Sequence, residues 1–351
     1  IFLTAILSSV FVWKRYGKIE SLFTLFSFSA CAPLFASHCG RHGDADALYI
    51  LFYTCAVLFL CIFSQHHTAL YGACLCFALA FLTKSWHSGT IALLVLGVLF
   101  ATGYIFQMRP LRPREYILCG TFSLLPVLLW GASRIHKDGT YFIIQMFAND
   151  VVRRSSEAIE GHTGNARYYI DQILSNDHGL VLLVTVLIIS GIIQWLRFDV
   201  SKINHIFSSD QLIVLFSILI PLAVFTIAKS KLSWYIFCIY PSIILLTAIS
   251  FHYLLKHNPF DFKVGALIIA FSVLFLCSWK NTKQIARSPS YSTNAIQNLL
   301  SSKQDYARAN FYIEKTDGSD WSQAILLEAE WLSNCTPTYG GANAFIQDNN
   351  S

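Results

Sequence analysis

Four short segments carry the side chains best suited to chemistry. Arg41-His42-Gly43-Asp44-Ala45-Asp46-Ala47-Leu48 sets two carboxylates and an arginine just before an apolar run. Asp44 there can cap the coming helix while Asp46 favours its positive end. Alternatively, either carboxylate can position, or take a proton from, an acceptor hydroxyl or phosphate. Phe81-Leu82-Thr83-Lys84-Ser85-Trp86-His87-Ser88-Gly89 holds a lysine and a histidine between two apolar runs. Such a lysine either snorkels to a membrane surface or binds phosphate as a compact point charge; His87 reads as an interfacial polar residue rather than a ligand. Between Asn149 and Gly164 lie Arg153, Arg154, Glu157, Glu160 and His162. An arginine pair of this kind can clamp a phosphorylated headgroup, although a solvated loop would look the same. In Ala228-Lys229-Ser230-Lys231-Leu232-Ser233-Trp234-Tyr235, two lysines precede aromatics suited to headgroup depth.

The elements that must position these residues are membrane spans. Of 351 residues, 55% are hydrophobic and only 13% are charged, about half the charged share of a soluble domain. A soluble multi-domain enzyme is thereby excluded, and apolar runs of roughly 16–20 residues mark a polytopic, all-α membrane protein. Spans are expected near 21–37, 47–63, 68–83, 90–107, 116–131, 178–196, 211–228, 233–251 and 264–279. An apolar run from Ile1 to Trp13 is read as the second half of a further span, in a chain that begins inside a longer protein. The net charge of +5 is spread over loops, so it bears on membrane orientation and not on nucleic acid. Eight of the ten cysteines lie in apolar runs, where a free thiol behaves as a small hydrophobe.

Alternate threading puts Lys14, Arg15, Lys18, Arg109, Arg112, Arg114, Arg197, Lys202, Lys256 and Lys263 on one side. The short loops of the other side carry only Arg41, Lys84, Lys229 and Lys231, so the first side is assigned to the cytoplasm. All four chemistry-bearing segments then gather on the outer face, where a lipid-phosphate substrate needs cations. The long 132–177 loop is also outer, and its Tyr141–Val152 stretch fits an amphipathic interfacial helix. From about Ser288 the chain turns polar, and residues 281–351 read as the start of a small outer α/β domain. Mid-span Asp, Glu, Lys and Arg are absent, which weakens a transporter reading.

Taken in order, these segments resemble the C-type glycosyltransferase superfamily (the GT-C fold), specifically the aminoarabinose transferase and protein mannosyltransferase-like family. The resemblance rests on the Arg41–Leu48, Phe81–Lys84, Glu160–Gly164 with Tyr168-Tyr169, and Ser230–Ile236 segments, and runs from residue 1 to about 280. Ser85-Trp86 stands where the family carries Gly-Pro after the lysine, and Ser233 where it carries Pro after Lys-Leu.

The resemblance implies an enzyme of the bacterial inner membrane that moves a sugar from a polyprenyl-phosphate carrier to a lipid, protein or glycan acceptor on the periplasmic face, by inverting displacement. Asp46, with Asp44 as runner-up, would orient or deprotonate the acceptor. Lys84, Arg153, Arg154 and Lys231 would hold the donor phosphate with Tyr235 as hydrogen-bond donor, and Arg41, Glu160 and His162 are further candidates. No cofactor is required, and a divalent cation is compatible but not indicated. The family's acidic first outer loop would precede Ile1, so these residues alone are expected to be inactive. Competing readings are a lipid-linked sugar flippase or transporter, a non-catalytic glycan-assembly subunit, and a hydrolase in which water replaces the acceptor.

Overall fold

The computed structural model describes residues 1–35, 39, 45–63, 65–104, 110–148, 152, 164–176, 179, 181, 183, 185–186, 208–256, 258–287, 310–313, 336–339 and 345–346. In chain order the elements are α1 (Phe2–Arg15), α2 (Lys18–Ala30), α3 (Ala32–Phe35), α4 (Asp46–Phe63) and α5 (Ala69–Lys84), followed by a 3₁₀ turn (Ser85–Ser88). Next come α6 (Gly89–Tyr104), α7 (Pro113–Asp138), α8 (Thr140–Phe147), α9 (Tyr168–Asn176) and α10 (Ser209–Ile227). A second 3₁₀ turn (Ser233–Cys238) leads into α11 (Ile239–Lys256), then α12 (Phe260–Arg287), β1 (Asn310–Ile313) and β2 (Thr336–Tyr339). Compact units divide at Thr282 and Lys283. In the second, β1 and β2 pair in parallel with Asn310 opposite Thr336.

Among the described residues, six helical stretches are long and apolar enough to cross a membrane, including Ala69–Ala101, which takes in α5, the first 3₁₀ turn and α6. Several boundaries differ from expectation. The run expected over 21–37 breaks at Cys31, whose backbone is extended; Pro33 follows two residues later and cannot continue the α2 hydrogen-bond ladder. The run expected over 116–131 continues as α7 to Asp138, into the expected outer loop. Its start is set by Pro113 in the first turn and by the Arg112 N–H donating to Glu115 Oε2 at 2.7 Å. Similarly, the last span reaches Arg287 rather than 279. The expected 178–196 span falls largely outside the described residues.

Burial orders the helices from centre to rim. Of the most apolar 18 residues in Ser233–Lys256, 94% are buried, against none in α7 and 11% in Phe260–Ala286. The latter two present apolar side chains outward, as a helix against lipid does. Polar contacts join the inner helices, where hydrocarbon supplies no competing partner. Tyr53 OH donates to Ser217 O (2.6 Å), Ser217 Oγ donates to Ser242 Oγ (2.8 Å), and Asn281 Nδ2 donates to Ser29 O and Ala30 O (3.0 and 2.9 Å).

At the end expected to face the cytoplasm, Arg15 forks onto the buried Asp210 (Nε–Oδ2 2.8 Å, Nη2–Oδ1 3.2 Å), and Tyr16 OH donates to Oδ2 at 2.6 Å. This ties α1 to the first turn of α10, which is itself capped by Ser208 and Gln211. Alongside, Glu20 Oε1 lies 2.8 Å from His252 Nδ1, joining α2 to α11. Gly17, at φ +147°, makes the tight reversal between α1 and α2, a conformation that favours glycine. Removing one partner of a buried pair leaves the other charge uncompensated. Asp210→Ala is therefore expected to lower unfolding stability in detergent by about 3 kcal/mol, and Arg15→Met with Asp210→Leu to recover most of it, both read from thermal unfolding.

Candidate functional site

Asp46 is the first residue of α4 and Lys84 the last of α5. The antiparallel packing of these helices brings both to the same end of the bundle, where Lys84 Nζ donates to Asp46 Oδ1. The Asp46 side chain is only 3% exposed and that of Lys84 16%. The carboxylate is thus a buried, paired charge rather than only a favourable group at a helix start, and Lys84 turns inward instead of snorkelling. A buried carboxylate at a membrane end needs a counter-charge to remain ionised.

The turn after Lys84 is held in an unusual backbone conformation. Ser85 has φ +42° and ψ −120°, the glycine position of a type II′ turn. Around the turn, Ser88 Oγ donates to Ser85 O at 2.8 Å, and Trp86 packs edge-on against Phe81 and against Phe147 of α8. The amphipathic stretch expected over 141–152 appears as α8, over Thr140–Phe147, lying beside the Lys84 turn.

Tyr235, from the second 3₁₀ turn, is buried against this pair. Lys84 Nζ lies 5.7 Å from its ring centroid, a cation–π distance. His87 meets the same ring edge-on at 4.8 Å, and Phe225 flanks both rings at 5.5 Å. The Tyr49 hydroxyl lies 2.9 Å from His87 O and 2.8 Å from Thr90 Oγ1, which donates to the same carbonyl at 2.9 Å. His87, read as a bland interfacial residue, is thus an inner member of the site. Tyr49 gave no signal in the sequence because it is one aromatic within an apolar helix.

Lys231 lies at the same end but is otherwise engaged. Its Nζ donates to Thr226 O (2.5 Å) and Ala228 O (2.9 Å), closing the negative end of α10. It also lies 5.8 Å from the centroid of the Tyr169 ring. Burial lowers the Lys231 pKa and, together with neighbouring tyrosines, holds the Tyr169 phenol well above its usual value. Gly164 packs closely here: a Cβ there would stand 2.7 Å from Tyr168 Cδ2 and 2.8 Å from Lys231 Cδ. The described end of the Glu160–Gly164 segment therefore rests on Lys231 and Tyr168.

The structure thus gathers Asp46, Lys84, Lys231 and Tyr235 at one end. Arg41, Asp44, Arg153, Arg154, Glu160 and His162 lie outside the described residues. With a carboxylate, two ammonium groups and a phenol at a membrane surface, the site can bind phosphate and accept a proton.

These features define a multi-pass integral membrane protein with the GT-C fold. Its structural neighbours are crystal structures of ArnT from Cupriavidus metallidurans. The form bound to undecaprenyl phosphate superimposes with a TM-score of 0.56 at 16% identity, and the apo form with 0.54 at 15%. Each alignment covers 82% of this chain and 50% of the ArnT chain, so the chain spans about half the length of those neighbours. No family model matches the sequence, and no curated protein matches it significantly.

Strain of the Ser85 kind costs about 1–3 kcal/mol, against roughly 0.5–1 kcal/mol of added chain entropy for glycine. Ser85→Gly is expected to raise stability by about 1 kcal/mol, read as a higher melting temperature in detergent. Gly164→Ala is expected to do the reverse, by about 1–3 kcal/mol, read as a lower melting temperature in detergent.

Proposed function

We propose that this chain carries the acceptor-activating and part of the donor-phosphate machinery of a membrane glycosyltransferase. The sugar donor is a polyprenyl phosphate, the acceptor a lipid, protein or glycan hydroxyl, and the working face the periplasmic side of a bacterial inner membrane. The observation that carries this reading is the buried Asp46–Lys84 pair beside Tyr235 at one end of a GT-C bundle. The undecaprenyl phosphate bound by the ArnT neighbour supports the donor class.

In the reaction, the acceptor oxygen attacks the anomeric carbon as the bond from that carbon to the phosphate oxygen breaks. The bonding pair leaves on the phosphate, giving polyprenyl phosphate and an inverted glycoside. Asp46 takes the acceptor proton. Lys84, Lys231 and the Tyr235 hydroxyl stabilise the charge developing on the leaving phosphate, and Arg153 and Arg154 are candidates for the same work. Glu160, His162, Arg41 and Asp44 remain candidates for acceptor placement. In the unliganded site Lys84 neutralises Asp46; an arriving phosphate competes for the ammonium and releases the carboxylate to act as base. Residues after about 280 are proposed as a separate outer domain.

The test is a reconstituted transfer assay with labelled polyprenyl-phosphate sugar, using the full-length protein and reading release of polyprenyl phosphate. Asp46→Asn is expected to lower turnover at least about a hundredfold, the scale for losing a positioned base. Lys84→Ala should weaken donor use and turnover together. Carrier binding without release by the unsubstituted protein would overturn the transferase reading in favour of a binding or transport role.

A further inference from the structure

A partly apolar groove lies at the opposite end of the bundle from Asp46. Between α1 and α4 runs a groove of about 680 Å³, within the usual range of ligand sites. Its body is apolar, formed by Leu7, Val10 and Phe11 on α1 and by Leu58, Phe59 and Ile62 on α4. At one end the lining changes to Lys14, Arg15, Gln65 and His66. Lys14 and His66 are exposed, and Lys18 is exposed nearby. Among the described residues that line the groove, none is acidic. The Asp210 carboxylate behind it is buried and already engaged by Arg15 and Tyr16. A net positive rim therefore closes one end of an apolar furrow.

α4 separates this rim from the Asp46–Lys84 pair by its full 18 residues, about 27 Å of helix. The two polar ends thus belong to opposite leaflets, and this groove is not the donor site.

We infer that the groove binds an anionic glycerophospholipid from the leaflet opposite Asp46, with acyl chain against α1 and α4 and headgroup phosphate at Lys14 and His66. Charge complementarity selects this occupant. The apolar body excludes a free soluble anion, and a second copy of the chain docked by two-fold symmetry would set its own basic rim against this one. A basic residue near an anionic leaflet contributes about 1 kcal/mol, so loss of Lys14 should change affinity about fivefold.

Native mass spectrometry of the purified full-length protein, titrated with phosphatidylglycerol or phosphatidylcholine, tests this. Phosphatidylglycerol should be retained at about fivefold lower concentration than phosphatidylcholine, and Lys14→Gln with His66→Gln should abolish that preference. Both positions are exposed, which favours folding of the variant. Val10→Trp, which fills the groove, should reduce retention of both lipids. A benzophenone amino acid at position 10, photolysed in native membranes, should capture lipid. Equal retention of the two lipids, a preference surviving the double substitution, or crosslinking to a protein segment instead of lipid would overturn the proposal. None of these readouts depends on sugar transfer.

Discussion

A carboxylate that begins a membrane helix and is buried from water cannot stay ionised alone, and the Lys84 ammonium answers that constraint for Asp46. Meeting the demand fixes much else. The first residue of α4 must stand beside the last residue of α5, so the antiparallel register of that hairpin is set at this end. The chain must then reverse within four residues and still leave Lys84 pointing inward, and the strained Ser85 conformation makes that reversal. Tyr235 sets its ring beside the Lys84 ammonium, carried there by the turn that follows Lys231.

The same logic recurs at the other end of the bundle with a different outcome. Asp210 is buried too, but Arg15 and Tyr16 engage both of its oxygens, forming a structural clamp. At the Asp46 end the carboxylate is balanced by a lysine, a flexible point charge that a phosphate can draw away. The bidentate arginine at Asp210 holds in a fixed fork. Residue choice thus separates a lysine-balanced carboxylate at one end from an arginine-held one at the other, and Lys14 and His66 stay exposed near the clamp.

The transmembrane character of the chain was legible in the sequence because a helix crossing hydrocarbon must be apolar over its whole length. So was the placing of Asp46, Lys84, Lys231 and Tyr235 at helix ends, since charge beside long apolar runs falls there. Less legible were the element ends. α7 runs on to Asp138 beyond the apolar run, because helix continuation depends on backbone hydrogen bonds and caps rather than on hydropathy alone.

What the sequence determined by itself was therefore composition along the membrane normal: which residues lie at which end. Only the tertiary structure decided which of them meet. Lys84 pairs with Asp46 while Lys231 caps α10; His87 and Tyr49 join the site; and Arg15 finds Asp210 195 positions away. Those choices depend on lateral helix packing, of which hydropathy along the chain carries little record, because the inner helices are largely apolar and differ only in a few small polar side chains.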